Sequence, residues 1–325
     1  MHKRFVNQCT LDISLIPKGP VLIKSGKEGA DPTKPDMEFV ETYHAGGRSI
    51  YLPGSSLKGA IRAHAERIVR TIGSDTKPTN LDPAEGEARA LWASDPLDLK
   101  GYKYIEKEKD SQKVYRWSSF TDQLFGSVAI ASRLRIEDAY PADVQQVKTE
   151  ERNGVAIDRV FGSVAVGPFN YQVCTAGEFR TKIHLKNFTL EQLGLLGLVL
   201  RDLNDGWFGL GFAKSRGMGL VEVQLKQAKV EYPGCVLDNE QIRLLGSSHE
   251  PWAKTDLIGA GAFLSDKERK QYGFPANDVQ STPVAGQEMA YGLGVQMTWE
   301  EGQVEDLFIR AVTAWRSRLM EGVSA

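Results

Sequence analysis

An α+β fold is what this 325-residue sequence predicts, on two observations. Residues 5–16, "FVNQCTLDISLI", alternate as a half-buried strand, and an amphipathic helical period closing at Gly73 follows them. A second strand, Ser132 to Ala139, precedes β-rich runs, a further helix from Thr189 and an alternating strand beginning near Leu220 and Val221. Two strand–helix–strand passes in that order give the split βαβ plan of a ferredoxin-like fold.

Each element has a local reason. In the first strand Phe5, Cys9, Leu11, Ile13 and Leu15 share a face. The stretch to Gly47 is rich in Gly and Pro without a helical period, so a long loop with a short strand at its end is expected. Leu57, Ile61, His64, Ile68 and Ile72 then recur at helical spacing, which makes His64 a core residue. Residues 74–121 read as a polar insertion anchored by Trp92 and Trp117, with a short helix near 84–92. Val155 to Val160 and Phe169 to Val173, joined by "FGSVAVGP", signal a long hairpin within 141–176. Thr189 and Gln192 stand in capping-box register ahead of a Leu193, Leu196, Leu200 stripe. The main domain therefore spans 1–233. An extension over 234–325 reads as irregular until a helix at 299–320, with Val304, Leu307, Phe308, Val312, Trp315 and Leu319 on one face.

Charge is distributed unevenly. The formal net charge of −2 argues against a protein that coats nucleic acid indiscriminately. Arg48 to Ile72 nevertheless holds five Arg/Lys against one acid, and Arg180 to Lys229 eight against four, whereas Glu231 onward holds eight against fourteen. Cys9, Cys174 and Cys235 lack any CxxC or CxxH spacing, so neither a disulfide frame nor a zinc site is expected. No apolar run reaches the ~20 residues of a membrane span and the N-terminus lacks a signal-peptide centre, which predicts a cytoplasmic protein with no membrane partner.

Two motifs point to phosphate. In "GLGFAKSRGMG", glycines let backbone N–H groups approach an anion, while Lys214, Ser215 and Arg216 offer cations and a hydroxyl. A surface turn is the plain alternative. In "PGSSLKGAIR", a helix start carries Ser55, Ser56, Lys58 and Arg62; a serine there either caps the helix or joins its free N–H groups in holding an anion. Together the two read as contacts to one nucleic-acid backbone, the split βαβ plan being one that RNA-recognition domains also use.

In this order, "YLPGSSLKGAIR", "DQLFGS", "IEDA", "GVAIDRVFGSVAVGPFNYQV" and "GLGFAKSRGMGLVEV" resemble the RAMP superfamily of CRISPR-associated proteins, specifically the backbone subunit of type III (Csm/Cmr-class) effector complexes. The resemblance runs from residue 3 to about 230. It implies a modified RNA-recognition palm with a β-hairpin thumb. The implied partners are a CRISPR guide RNA, a target single-stranded RNA and other subunits, among them further RAMP subunits and the large signalling subunit. Ser55, Ser56, Lys58, Arg62, Lys214, Ser215 and Arg216 are then guide contacts. Val160, Phe161, Val164 and Phe169 would be the thumb's apolar wedges and Arg159 its phosphate partner.

In cleaving members an aspartate lies in the loop before the "PGSSLKG" helix. Asp36 is the match by order and distance, with Asp31 the next candidate. Such a carboxylate holds a divalent metal, Mg²⁺ being the expected ion, or helps activate a ribose 2′-OH, which makes the chain an endoribonuclease acting within a complex. Two alternatives stand beside this: a non-cleaving structural subunit, or a stand-alone endoribonuclease that processes CRISPR RNA with His44. His184 is expected on a strand, and Lys24 and Lys27 flank Gly26 as possible aids at the loop. The acidic extension points to a specialised copy whose tail meets a partner subunit.

Overall fold

The computed structural model describes residues 4–26, 35–44, 47–82 and 90–321. Its elements in chain order begin with β1 (Gln8–Pro17), β2 (Glu41–His44), β3 (Gly47–Ile50) and α1 (Gly54–Ile72). Three short helices follow, α2 (Lys103–Glu106), α3 (Ser111–Trp117) and α4 (Phe120–Phe125), then β4 (Leu134–Ile136) and β5 (Tyr140–Pro141). A long hairpin, β6 (Lys148–Ile157) and β7 (Val164–Ala176), leads to β8 (Phe179–Lys186), α5 (Leu190–Asn204) and β9 (Val221–Tyr232). The rest comprises β10 (Cys235–Asp238), β11 (Gln241–Leu244), β12 (Trp252–Ala253), β13 (Asp256–Ile258), α6 (Asp266–Tyr272), β14 (Val279–Ser281), β15 (Gln287–Glu288), β16 (Val295–Glu300) and α7 (Val304–Glu321).

A seven-stranded sheet organises the molecule, in the order β15-β16-β9-β1-β8-β4 with β5 also on β8. Strand β1 lies antiparallel between β8 and β9, and its Cys9, Leu11, Ile13 and Leu15 are buried as the alternation predicts. Phe5, placed on that face by the sequence, lies before the strand and is half exposed. Helices α1, α5 and α7 supply the other half of this core through Leu57, Ile61, Leu193, Leu196, Leu307 and Trp315. The Thr189 capping box forms as expected, with Gln192 answering the Thr189 backbone. Gly197 permits the close approach of α5 and α7, since a Cβ there would stand 2.5 Å from the Phe308 ring.

Several boundaries differ from the sequence reading. The strand expected at 132–139 shrinks to β4, because Ser132 turns back to bond its own neighbourhood and Asp138 leaves to serve α1. Of the helix expected at 84–92, residues 84–89 lie outside the described residues, and Ala90 to Trp92 are not helical, Trp92 bridging to Ser74 instead. The extension is not irregular: β10–β12 and β13–β14 form small sheets, and β15 and β16 join the main one. Trp299 belongs to β16 and is wholly buried, so the last helix starts at Val304. Through Tyr115 on α3, which stacks on Phe274 at 5.4 Å, the insertion packs against this extension. No helix among the described residues is long and apolar enough to cross a membrane.

Candidate nucleic-acid interface

Helix α1 begins at Gly54 without a capping serine. Asp138, in the "IEDA" segment, takes that role from across the fold and accepts the Gly54 N–H at 2.7 Å. Glycine is required at this point, since a Cβ would lie 2.3 Å from the Ile136 carbonyl oxygen. Ser55 and Ser56 therefore stand exposed on the first turn with their hydroxyls uncommitted to capping. Beside them His44 stacks on Tyr140 at 3.7 Å with the two rings nearly parallel, and Tyr140 donates its hydroxyl to Asp138.

Lys58 and Arg62 sit differently from the serines. The Lys58 ammonium donates to Ser132 Oγ at 2.8 Å and to the Leu134 carbonyl, tying α1 to β4. Burial, helped by the nearby Arg62 cation, lowers its pKa. Arg62 is committed to the interior: it bonds Glu66, the Gly126 carbonyl and the fully buried Asp122. Burial opposes its charge, but the Glu66 hydrogen bond and the two carboxylates prevail and raise its pKa. Arg62, expected at the RNA backbone, thus has all three guanidinium nitrogens engaged inside the molecule, by two carboxylates and a backbone carbonyl.

The glycine-rich loop is stitched onto the chain that leaves β1. Phe212 N–H donates to the Leu22 carbonyl at 2.7 Å and Gly219 N–H to that of Pro20. Gly211, at φ +76°, has no room for a Cβ, which would meet the Leu22 carbonyl oxygen at 2.2 Å. The tip is a single turn, Lys214–Arg216, with all three side chains exposed. Lys24 joins them: its ammonium lies 4.0 Å from the Phe212 ring centroid and the Arg216 guanidinium 5.0 Å from it. The sequence raised Lys24 only as an aid, since the ring that gathers both cations is remote in the chain.

The same segment reaches the hairpin. Val21 pairs with Cys174 on β7, and Lys24 bridges to Phe39. Residues 36–39 in turn run beside β7, where Met37 bridges Tyr171 in parallel and Asp36 Oδ2 accepts the Asn170 N–H at 2.8 Å. Asp36 is thus exposed beside the middle of β7. Among the described residues no group of three His, Cys, Asp or Glu could hold a metal. Asp31 and Lys27 lie outside the described residues.

The hairpin projects from the sheet and its outer half is exposed on both strands. Asp158 orders the tip, its Oδ1 accepting the N–H groups of Val160 at 2.7 Å and Phe161 at 2.9 Å. Those bonds, that from Phe161 first, lower the Asp158 pKa. Val160 and Phe161 are consequently displayed at 83% exposure, with Arg159 and Val164 also exposed. Phe169 is only half exposed and covers Gly154 on the facing strand, so it packs the hairpin itself. His184 lies on β8 as expected, between Thr10 at 3.2 Å and Glu137 at 2.9 Å. His64 is buried against Asp202 and Phe208. All three cysteines are buried as free thiols, burial pushing Cys235 up to about 12.

Residues 15–222 match the family model described as the RAMP superfamily. No curated protein matches the chain.

Proposed function

The chain belongs to the RAMP superfamily, whose members are CRISPR-associated RNA-binding proteins, and from that premise we propose that it is a guide-RNA-binding backbone subunit of a type III effector complex that cleaves the paired target RNA at Asp36. The order β9-β1-β8-β4, with α1 after β1 and α5 after β8, supports a ferredoxin-like palm. The exposed hairpin with its apolar tip supports a thumb that wedges between bases. Ser55, Ser56, Lys214, Ser215 and Arg216, with Lys24, hold the guide backbone; Lys58 contributes through its remaining donor. Target RNA, further RAMP subunits and the large signalling subunit are the partners this role requires, and the cytoplasm is where it would act.

One observation carries the reading: the bond from Asn170 to Asp36 holds an exposed carboxylate against β7, midway along the hairpin. There Asp36 can orient or deprotonate a ribose 2′-OH, whose oxygen attacks the adjacent phosphorus as the 5′-oxygen leaves. Were a magnesium ion to take part, Asp36 is the carboxylate that would hold it beside the RNA, and the ion would neutralise phosphate charge. The same bond also favours a second reading, in which Asp36 only pins the loop and the subunit does not cut.

Asp36→Asn separates the two, because the amide oxygen still accepts the Asn170 N–H while the charge is gone. In the assembled complex, target binding should persist and cleavage should fall about a hundredfold or more. Unchanged cleavage by a complex carrying this variant would place the cut elsewhere and leave Asp36 the structural role.

A further inference from the structure

Strand β8 reads "FRTKIHLK", and every residue it directs away from the helices is basic: Arg180, Lys182, His184 and Lys186. Their alternates Phe179, Thr181, Ile183 and Leu185 are buried beneath. Side-chain exposure is 66% for Arg180 and 51% for Lys182, and Lys186 is exposed. Successive outward positions on a strand are about 7 Å apart, so β8 forms a straight column of cations. Register extends the column sideways: His184 lies opposite Arg135 on β4 and Thr10 on β1, Thr10 opposite Lys229 on β9, and Lys229 opposite Thr298 on β16. One continuous row of donors therefore crosses five strands.

Carboxylates lie at the flanks of the column. Asp12 pairs with Lys182 at 3.5 Å, Glu178 with Arg180 at 2.8 Å, and Glu137 with both Arg135 and His184. Exposed pairs of this kind are weak and yield to a phosphate. Lys186 and Lys229 have no ion pair among the described residues. The outward residues of β1, β4 and β8 include no Phe, Tyr or Trp, and their one ring, the His184 imidazole, is held at both nitrogens by Thr10 and Glu137, so this face offers phosphate contacts in place of stacking platforms.

We propose that the open face of the sheet, along β8, is a second track for single-stranded RNA, held through its phosphates and without preference for base. It uses none of the residues of the glycine-rich loop or of the α1 start. It rests on the proposed RNA-binding role only for the identity of the polyanion, and charge complementarity selects the occupant.

The test uses the full chain and a labelled polyuridine strand, with affinity measured across a salt series. Lys182→Gln with Lys186→Gln should weaken binding and flatten the log–log salt slope by about 1.4, the release expected for two single-strand phosphate contacts. Lys186→Gln with Lys229→Gln, which disturbs no ion pair, should do the same with an unchanged melting curve. Losses should add to those of Lys214→Gln with Arg216→Gln, as independent sites do. An unchanged slope in both sheet-face variants overturns the track while leaving the loop's role intact, whereas silence from the loop variant as well removes the RNA reading altogether. Loss of polyglutamate binding with RNA binding unaltered would assign the face to an acidic protein instead, and also overturns it.

Discussion

Asp138 and Gly54, 84 residues apart, meet at 2.7 Å, carboxylate to amide, and so the helix that opens with "PGSSLKG" is capped from the segment that follows β4. The serines of that motif are left free because a distant aspartate performs the local task usually given to them.

Removing the Asp138 carboxylate should cost about 1 kcal/mol, the scale of a lost N-cap. Asp138→Asn should retain most of this and Asp138→Ala should not, as read by urea melts. Gly54→Ala should cost more than either, because its methyl group collides with backbone at Ile136.

Arg62→Ala should destabilise by about 3–5 kcal/mol, since it strands the buried Asp122. Ser55→Ala with Ser56→Ala should leave the melting curve in place and lower RNA affinity. A normal melt for Arg62→Ala would refute the internal tie and return that residue to the interface.

The Asp158 turn makes the hairpin tip sensitive to acid. Its pKa is lowered on folding, so its contribution is complete above about 4, the ordinary aspartate value, and is lost as pH falls through the lowered one. Amide exchange at Val160 and Phe161 should accelerate in that window, and Asp158→Ala should show the acid behaviour at neutral pH.

Gly211→Ala tests the loop without touching a cation. Its Cβ would strike the Leu22 carbonyl and its φ of +76° suits glycine. The turn bearing Lys214 and Arg216 should shift away from Lys24, with weaker RNA binding across a salt series despite an intact set of charges.

Much of the fold was legible because β1, α1 and α5 carry strong periods and, for α5, a capping box within four residues. The extension was not, since its strands are two to six residues long and owe their form to remote partners. Trp299 fell into a helical spacing with Val304 although a turn at Glu301 to Gln303 separates strand from helix. The site divides the same way. Exposed tips such as Lys214–Arg216 and Val160–Phe161 follow from composition, whereas the engagement of Arg62 with Asp122 and the bond from Asn170 to Asp36 depend on tertiary placement alone.

Strand β9 is twelve residues long, and its outer half is paired by β16 over Val295–Glu300. A chain cut after residue 233 would leave that margin with a row of unanswered amides and carbonyls, open to any neighbour in extended form. Residues 234–325 thus work as a hem on the sheet: without them the remaining molecule would invite edge-to-edge growth with its own copies in place of ordered assembly.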